Sequence, residues 1–221
     1  MIKETECAAS AADRVFNQIL EYLKPGLKEK EVAVRIRELI KKEGGERTPF
    51  RIIVASGVRS ALPHGRASNK VIHRGELIII DFGAIYKGFC SDITRTVVIG
   101  KPTRWQEKIY KTVREAQKKA LAKVKGGVAA REVDRAARSF IEREGFGKFF
   151  KHGTGHGIGK RVHEKPRISK RSKEILKSGQ VITIEPGIYV RGQGGVRIED
   201  MVLVRERGYK LLTKTKRSLT L

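Results

Sequence analysis

A chain of 221 residues fits one domain or two small ones, and a hydrophobic fraction of 39% is enough for an ordinary core. The formal net charge of +24 attracts polyanions at low ionic strength, but the Lys and Arg residues are scattered and no aromatic series accompanies them, which disfavours a dedicated single-strand nucleic-acid site and leaves contact with nucleic acid or the ribosome open. No apolar run is long enough to span a bilayer, MIKETECAAS lacks the apolar stretch of a signal peptide, and Cys7 and Cys90 fit neither a disulfide framework nor a zinc motif; together these point to a cytoplasmic protein with two free thiols and no membrane partner.

Taken in chain order, residues 4–23 read as an amphipathic helix with Ala8, Ala11, Ala12, Val15, Ile19 and Leu20 near one face, ended by Pro25-Gly26. Residues 28–43 form a second helix closed by Gly44-Gly45. Strand-like runs follow in RIIVASG, ELIIIDFGAIY and SDITRTVVIG. Two more helices are expected at about 103–124 and 129–144. The segment 147–180, rich in Gly, Lys and Ser, reads mostly as loop and short structure, and QVITIEPGIYV and GVRIEDMVLV supply further strands.

An internal echo organises these elements. The stretch from Lys24 resembles the stretch from Lys125: Glu31-Val32 matches Glu132-Val133, Arg37 matches Arg138, and Glu43-Gly44 matches Glu144-Gly145. A strand pair carrying two acids follows each copy. The expectation is an α+β fold of two helix-helix-hairpin halves related by a pseudo-twofold axis around a curved antiparallel sheet, each half donating one carboxylate pair.

Four acids and one histidine stand out: Asp81, Asp92, Glu185 and Glu199 in apolar runs, and His156 among glycines in HGTGHGIG. Buried carboxylates repel one another unless something cationic holds them, and no basic residue stands at matching spacing. Two divalent cations would cancel four negative charges. A two-residue loop at Lys87-Gly88 places Asp81 across from Thr94, so that Asp92 shares the Asp81 face. A turn centred on Gly192 places Glu185 opposite Glu199. Oxygen donors with one imidazole suit Mn, Co or Fe, with Mn favoured, and Zn also fits. His73, in VIHRGEL, reads as an exposed polar residue.

At these residues the chain resembles the pita-bread metallopeptidases, the creatinase/aminopeptidase fold that includes methionine aminopeptidases, aminopeptidase P and prolidase. The likeness runs to about Thr213 and rests on ASGVRSALPHG, DFGAIYKGFCSDITRT, HGTGHGIGKRVHEKP, TIEPGIYV and GGVRIED. It is nearest to the Xaa-Pro branch, because Asp200 stands where methionine aminopeptidases usually carry a histidine. The resemblance implies two divalent metals: Asp81 on one, His156 and Glu185 on the other, Asp92 and Glu199 bridging. It implies that Glu185 moves a proton, that His64 and His163 assist catalysis and bind substrate, that His152, Tyr189 and Arg197 lie near the substrate, and that Arg197 pairs with a ligand carboxylate or with substrate. The activity implied is release of the amino-terminal residue of a peptide at an Xaa-Pro bond. Methionine removal from new chains, or a binding module without catalysis, are the alternatives. The chain reads as one catalytic domain without the amino-terminal domain usual in the Xaa-Pro branch, which leaves homodimerisation open.

Overall fold

In the computed structural model, which describes residues 1–221, four helices pack in pairs beside antiparallel ladders. The first pair is α1 (Ile2–Tyr22) and α2 (Glu29–Lys42). Helix α1 buries Ala8, Ala12, Val15, Phe16 and Ile19 along one stripe and stops before Pro25, which disfavours helical geometry in the residue preceding it. Helix α2 carries Glu29 and Glu31 in its first turn and Lys41 and Lys42 in its last, signs that suit the helix dipole. Helices α3 (Arg104–Leu121) and α4 (Ala130–Arg143) form the second pair. The Thr103 hydroxyl caps α3 by accepting from the Gln106 backbone N–H.

The first half holds a three-stranded ladder in the order β1 (Ile53–Ser56), β2 (Leu77–Phe82) and β5 (Ile93–Val98), with the small hairpin β3 (Ile85–Tyr86) and β4 (Phe89–Cys90) between β2 and β5. In the second half β6 (Gly155–Gly157), β7 (Glu164–Ile168), β8 (Val181–Ile184), β11 (Asp200–Arg205) and β12 (Gly208–Leu211) run in the order β12-β11-β8-β6-β7, and β9 (Gly187–Val190) pairs with β10 (Gly194–Arg197). All named pairs are antiparallel. The largest apolar cluster lies under α3 and α4, and a second lies under α1 and α2. No helix is long and apolar enough to cross a membrane.

The echo in the sequence is an echo in the hydrogen bonds. Gly26 N–H donates to Ile72 O and Gly127 N–H donates to Leu176 O; Ile72 N–H donates to Leu27 O and Leu176 N–H donates to Val128 O. The lone bridges Lys28–Val71 and Ala129–Ile175 match in the same way. Gly44 and Gly145 both close their helices at φ 83°. Two halves of common design therefore face each other, as the α+β expectation requires.

Residues 147–180 are mostly loop with short structure, as expected, and the short pieces include β6 and β7, which sit inside the five-stranded ladder. The glycines that hid β6 are required by its neighbours. A Cβ on Gly155 would lie 1.9 Å from Thr183 O, and one on Gly157 would lie 2.2 Å from Lys165 O.

Candidate active site

Both hairpins have the expected register, and both break where an acid sits. Asp81 pairs with Thr94 between β2 and β5. Lys87 (φ 46°) and Gly88 (φ 75°) make the tight turn between β3 and β4. Between these pairings the ladder opens at Asp92, whose N–H donates to Met201 Sδ rather than to a strand partner. In the second half, Ile184 pairs with Asp200 and Gly187 with Arg197, the same register on both sides of Glu185 and Glu199. The two glutamates leave the ladder between them. Glu185 N–H donates to Thr154 O at 2.7 Å, and Glu199 N–H donates to Thr94 O at 3.1 Å. That second bond crosses from one half to the other.

His156 occupies the centre of β6, between Gly155 and Gly157. Its Nδ1 lies 3.1 Å from Gly157 O, so Nδ1 carries the proton and Nε2 presents a lone pair. That lone pair faces Glu185 Oε1 at 3.4 Å and Asp92 Oδ2 at 3.8 Å. Burial holds the imidazole below the ordinary histidine range, so it stands neutral. Asp92, His156 and Glu199 offer ligand atoms that all lie within 4.8 Å of one another. Acceptors aimed at acceptors are unfavourable unless a proton or a cation stands between them.

The acids show the same need. Asp81 Oδ1, Asp92 Oδ1 and Glu199 Oε1 are buried with no hydrogen-bond partner. Burial pushes Asp92 well above the carboxylate range, helped by the charges of Glu199, Asp81 and Glu185. Burial raises Glu199 in the same direction, again with Glu185 and Asp81 beside it. Glu185 is pushed up to about 7, chiefly by burial. Three orphaned oxygens, a neutral imidazole with its lone pair turned inward and proton-holding acids form a donor set that fits a divalent cation.

One acid meets a cation, and the pairing of Arg197 with a carboxylate that the resemblance implied falls on Asp81. Arg197, on β10, reaches Asp81 Oδ2 at 2.6 Å and is itself 3% exposed. Burial opposes its charge, yet Tyr189, Asp81 and Glu185 hold its pKa well above the ordinary value. Register places Arg197 away from Asp81 in sequence, so only folding of the two halves brings them together. Arg197 also donates to Tyr189 Oη at 2.8 Å, to Pro63 O at 3.0 Å and to Thr94 Oγ1 at 3.1 Å. His152 Nδ1 lies 2.8 Å from Gly153 O and Nε2 lies 2.8 Å from Tyr189 Oη. Burial lowers His152 to about 4, so its ring is neutral; Nδ1 donates to the carbonyl and Nε2 accepts from the tyrosine. Burial likewise pushes the Tyr189 hydroxyl up to about 12. A directed chain runs from Arg197 through Tyr189 to His152. Tyr189 is buried against Ile53, Ala55 and Ile79, behind the cleft wall rather than on it.

A cleft of about 1560 Å³ opens over the acids. His64 and His163 line it, together with Asp81, Asp92, His152, His156, Glu185, Arg197 and Glu199. His163 lies with its ring centroid 4.4 Å from that of His156, and burial lowers it below the usual histidine range. His73 is exposed and outside the cleft, as expected.

Sequence reasoning passed over the residues that hold Glu199. The Thr94 hydroxyl donates to Glu199 Oε2 at 2.7 Å, and Arg95 donates to Glu199 O and to Thr94 O. Asp200, fully buried, accepts from Arg95, Gln117, Thr213 and Arg217. The available signal was Arg95, a charged residue in the middle of the apolar run DITRTVVI.

The profile of metallopeptidase family M24 matches residues 3–206. A protein named Xaa-Pro dipeptidase from Pyrococcus horikoshii is 50% identical over 218 residues, covering 99% of this chain and 62% of its own length. Among solved structures, an Xaa-Pro dipeptidase from Bacillus anthracis superposes with a TM-score of 0.98 at 46% identity, covering 100% of this chain and 62% of that one. An X-Pro aminopeptidase from Thermotoga maritima gives 0.97 at 45% identity, covering 100% and 63%. The chain thus spans a little under two thirds of the length of these relatives. With that match across its length and two half-sites converging on one acidic cluster, the chain belongs to metallopeptidase family M24, in the Xaa-Pro branch of the pita-bread fold.

Proposed function

We propose that this chain is the catalytic part of a dinuclear metallopeptidase that releases the amino-terminal residue of peptides at Xaa-Pro bonds. The observation that carries the reading is the convergence of Asp81, Asp92, His156, Glu185 and Glu199 with three buried carboxylate oxygens unpartnered. Asp81 would hold one cation, His156 and Glu185 the other, and Asp92 and Glu199 both. Mn is favoured by the oxygen-rich set, with Co, Fe and Zn also compatible. When bound, such cations supply Lewis acidity and lower the pKa of water.

The remaining roles belong to the protein. Glu185 takes a proton from the attacking water and delivers it to the leaving proline nitrogen. Neutral His163 donates a hydrogen bond to the oxygen of the tetrahedral intermediate, and His64 steadies the substrate amide. Arg197 keeps one Asp81 oxygen occupied and leaves Oδ1 turned to the site. The buried Arg197-Tyr189-His152 chain fixes the cleft wall beside the substrate. The relatives' names divide between a dipeptidase and an aminopeptidase, so peptide length separates two forms of one reading.

A peptide panel with the metal varied tests this. The Mn-loaded chain should release alanine from Ala-Pro and Ala-Pro-Ala peptides and leave Met-Ala-Ser intact, and Glu185→Ala should abolish release. Full activity in Glu185→Ala would remove Glu185 from its role. Cleavage of Met-Ala-Ser in preference to the proline peptides would favour methionine removal instead.

A further inference from the structure

Resting on the Xaa-Pro reading of the cleft floor, we infer that the lips of the cleft select peptides with acidic residues downstream of the cleaved bond. The cleft has opposite charge at its two depths. Its floor carries Asp81, Asp92, Glu185 and Glu199, and its lips carry cations. Arg51 and Arg66 flank the start of β1 and the His64 loop; Lys160 and Arg161 lie in the loop between β6 and β7 that holds His163, and Lys165 lies at the start of β7. All five are exposed.

Some cations elsewhere in the chain are held by acids. Arg14, Lys70, Lys111, Lys119, Arg138 and Lys210 each meet a carboxylate. The five on the lips take part in no ion pair. The one acid among them, Glu164 at the start of β7, turns Oε1 to the Arg161 backbone N–H at 2.9 Å rather than to a neighbouring side chain. Five unpaired cations around one cleft repel one another, and a ligand that brings negative charge among them relieves that repulsion.

The arrangement sorts a peptide by polarity. Its amino terminus is cationic and is drawn to the acidic floor. Once that end is seated, the residues after the bond to be cleaved cross the lips. Glu or Asp there meets the cations, whereas Lys or Arg meets like charge. Because the lip groups face solvent, the effect is screened over a Debye length of roughly 8 Å at physiological salt.

Binding can be read without turnover. Anisotropy of Ala-Pro-Glu-Glu and Ala-Pro-Lys-Lys, each carrying an uncharged dye at the carboxyl end, is measured on the metal-free chain, and kcat/KM is measured on the Mn-loaded chain. At about 20 mM salt the acidic peptide should be favoured by roughly 10-fold, falling below about 2-fold at about 0.5 M. The triple variant Lys160→Glu, Arg161→Glu, Lys165→Glu should invert the preference. A control with the same net charge, Lys101→Glu, Lys123→Glu, Lys125→Glu, changes exposed residues outside the cleft and should keep it. Circular dichroism and metal content establish that each variant is folded. A ratio near one, or an equal loss in both triple variants, overturns the inference and leaves the peptidase reading standing. Absence of proline-peptide turnover, with the anisotropy ratio intact, sinks the peptidase reading instead.

Discussion

At the scale of single residues, the site is a set of groups that are unfavourable alone. Arg197 is the one guanidinium on Asp81, and both are buried. Removing one partner of a buried pair leaves the other uncompensated, typically at a cost of about 3–5 kcal/mol. Arg197→Met should therefore lower the unfolding free energy of the metal-free chain by about 3 kcal/mol in urea titration; a change below about 0.5 kcal/mol would show that the pair contributes no net stability. Protons serve the remaining acids in the absence of metal. Asp92, Glu185 and Glu199 are all raised, Glu185 to about 7, so the fold holds protons where the unfolded chain has shed them. For Glu185 the contribution is complete below its ordinary pKa of 4.5 and fades as pH rises through about 7, and Asp92 and Glu199 act in the same sense. His152, lowered to about 4, acts in the opposite sense, its share being lost as pH falls below 6.5. The informative quantity is thus the rise in Tm caused by Mn²⁺, because the cation displaces the acids' protons. That rise should grow between about pH 5 and about pH 8. A rise that is flat or shrinks with pH would mean the raised acids are not where the metal binds.

Among the elements, the hairpins were the most legible part of the chain. Lys87-Gly88 and Gly192 fixed two registers, and with them the positions of Asp81 opposite Thr94 and Glu185 opposite Glu199. All four helices lie within a few residues of their expected bounds because apolar stripes and Gly or Pro stops are local signals. Strand β6 was not legible. Its GHG sequence has no apolar alternation, and its place comes from β7 and β8 closing on glycines that carry no Cβ. The Arg95–Asp200 pair was hidden for a related reason, since the two lie 105 residues apart in sequence. The β6 account predicts a contrast between two glycines. Gly155→Ala should destabilise the chain by about 3 kcal/mol or more and weaken metal binding, because its Cβ would meet the β8 backbone. Gly179→Ala, at φ 89° with open space around it, should cost only about 1–2 kcal/mol. Equal effects in thermal melts would contradict the close approach of β6 to β8.

For the molecule as a whole, the acids are shared between halves that are built alike. Asp81 and Asp92 come from the first, His156, Glu185 and Glu199 from the second, and the Glu199 N–H to Thr94 O bond joins them. Cations held by both halves should slow amide exchange in β2 and β5 as much as in β8 and β11; protection confined to one side would mean that the acids of the other do not take part. The tail after β12 strengthens the junction, since Val98 N–H donates to Leu219 O and Leu221 N–H donates to Val98 O. One consequence follows from that mutual dependence. If the polypeptide were made as two separate pieces, divided at the Lys101–Pro102 linker, neither piece would own a complete chelator. Mixing them should restore by complementation what each lacks by itself, with the ion acting as the rivet.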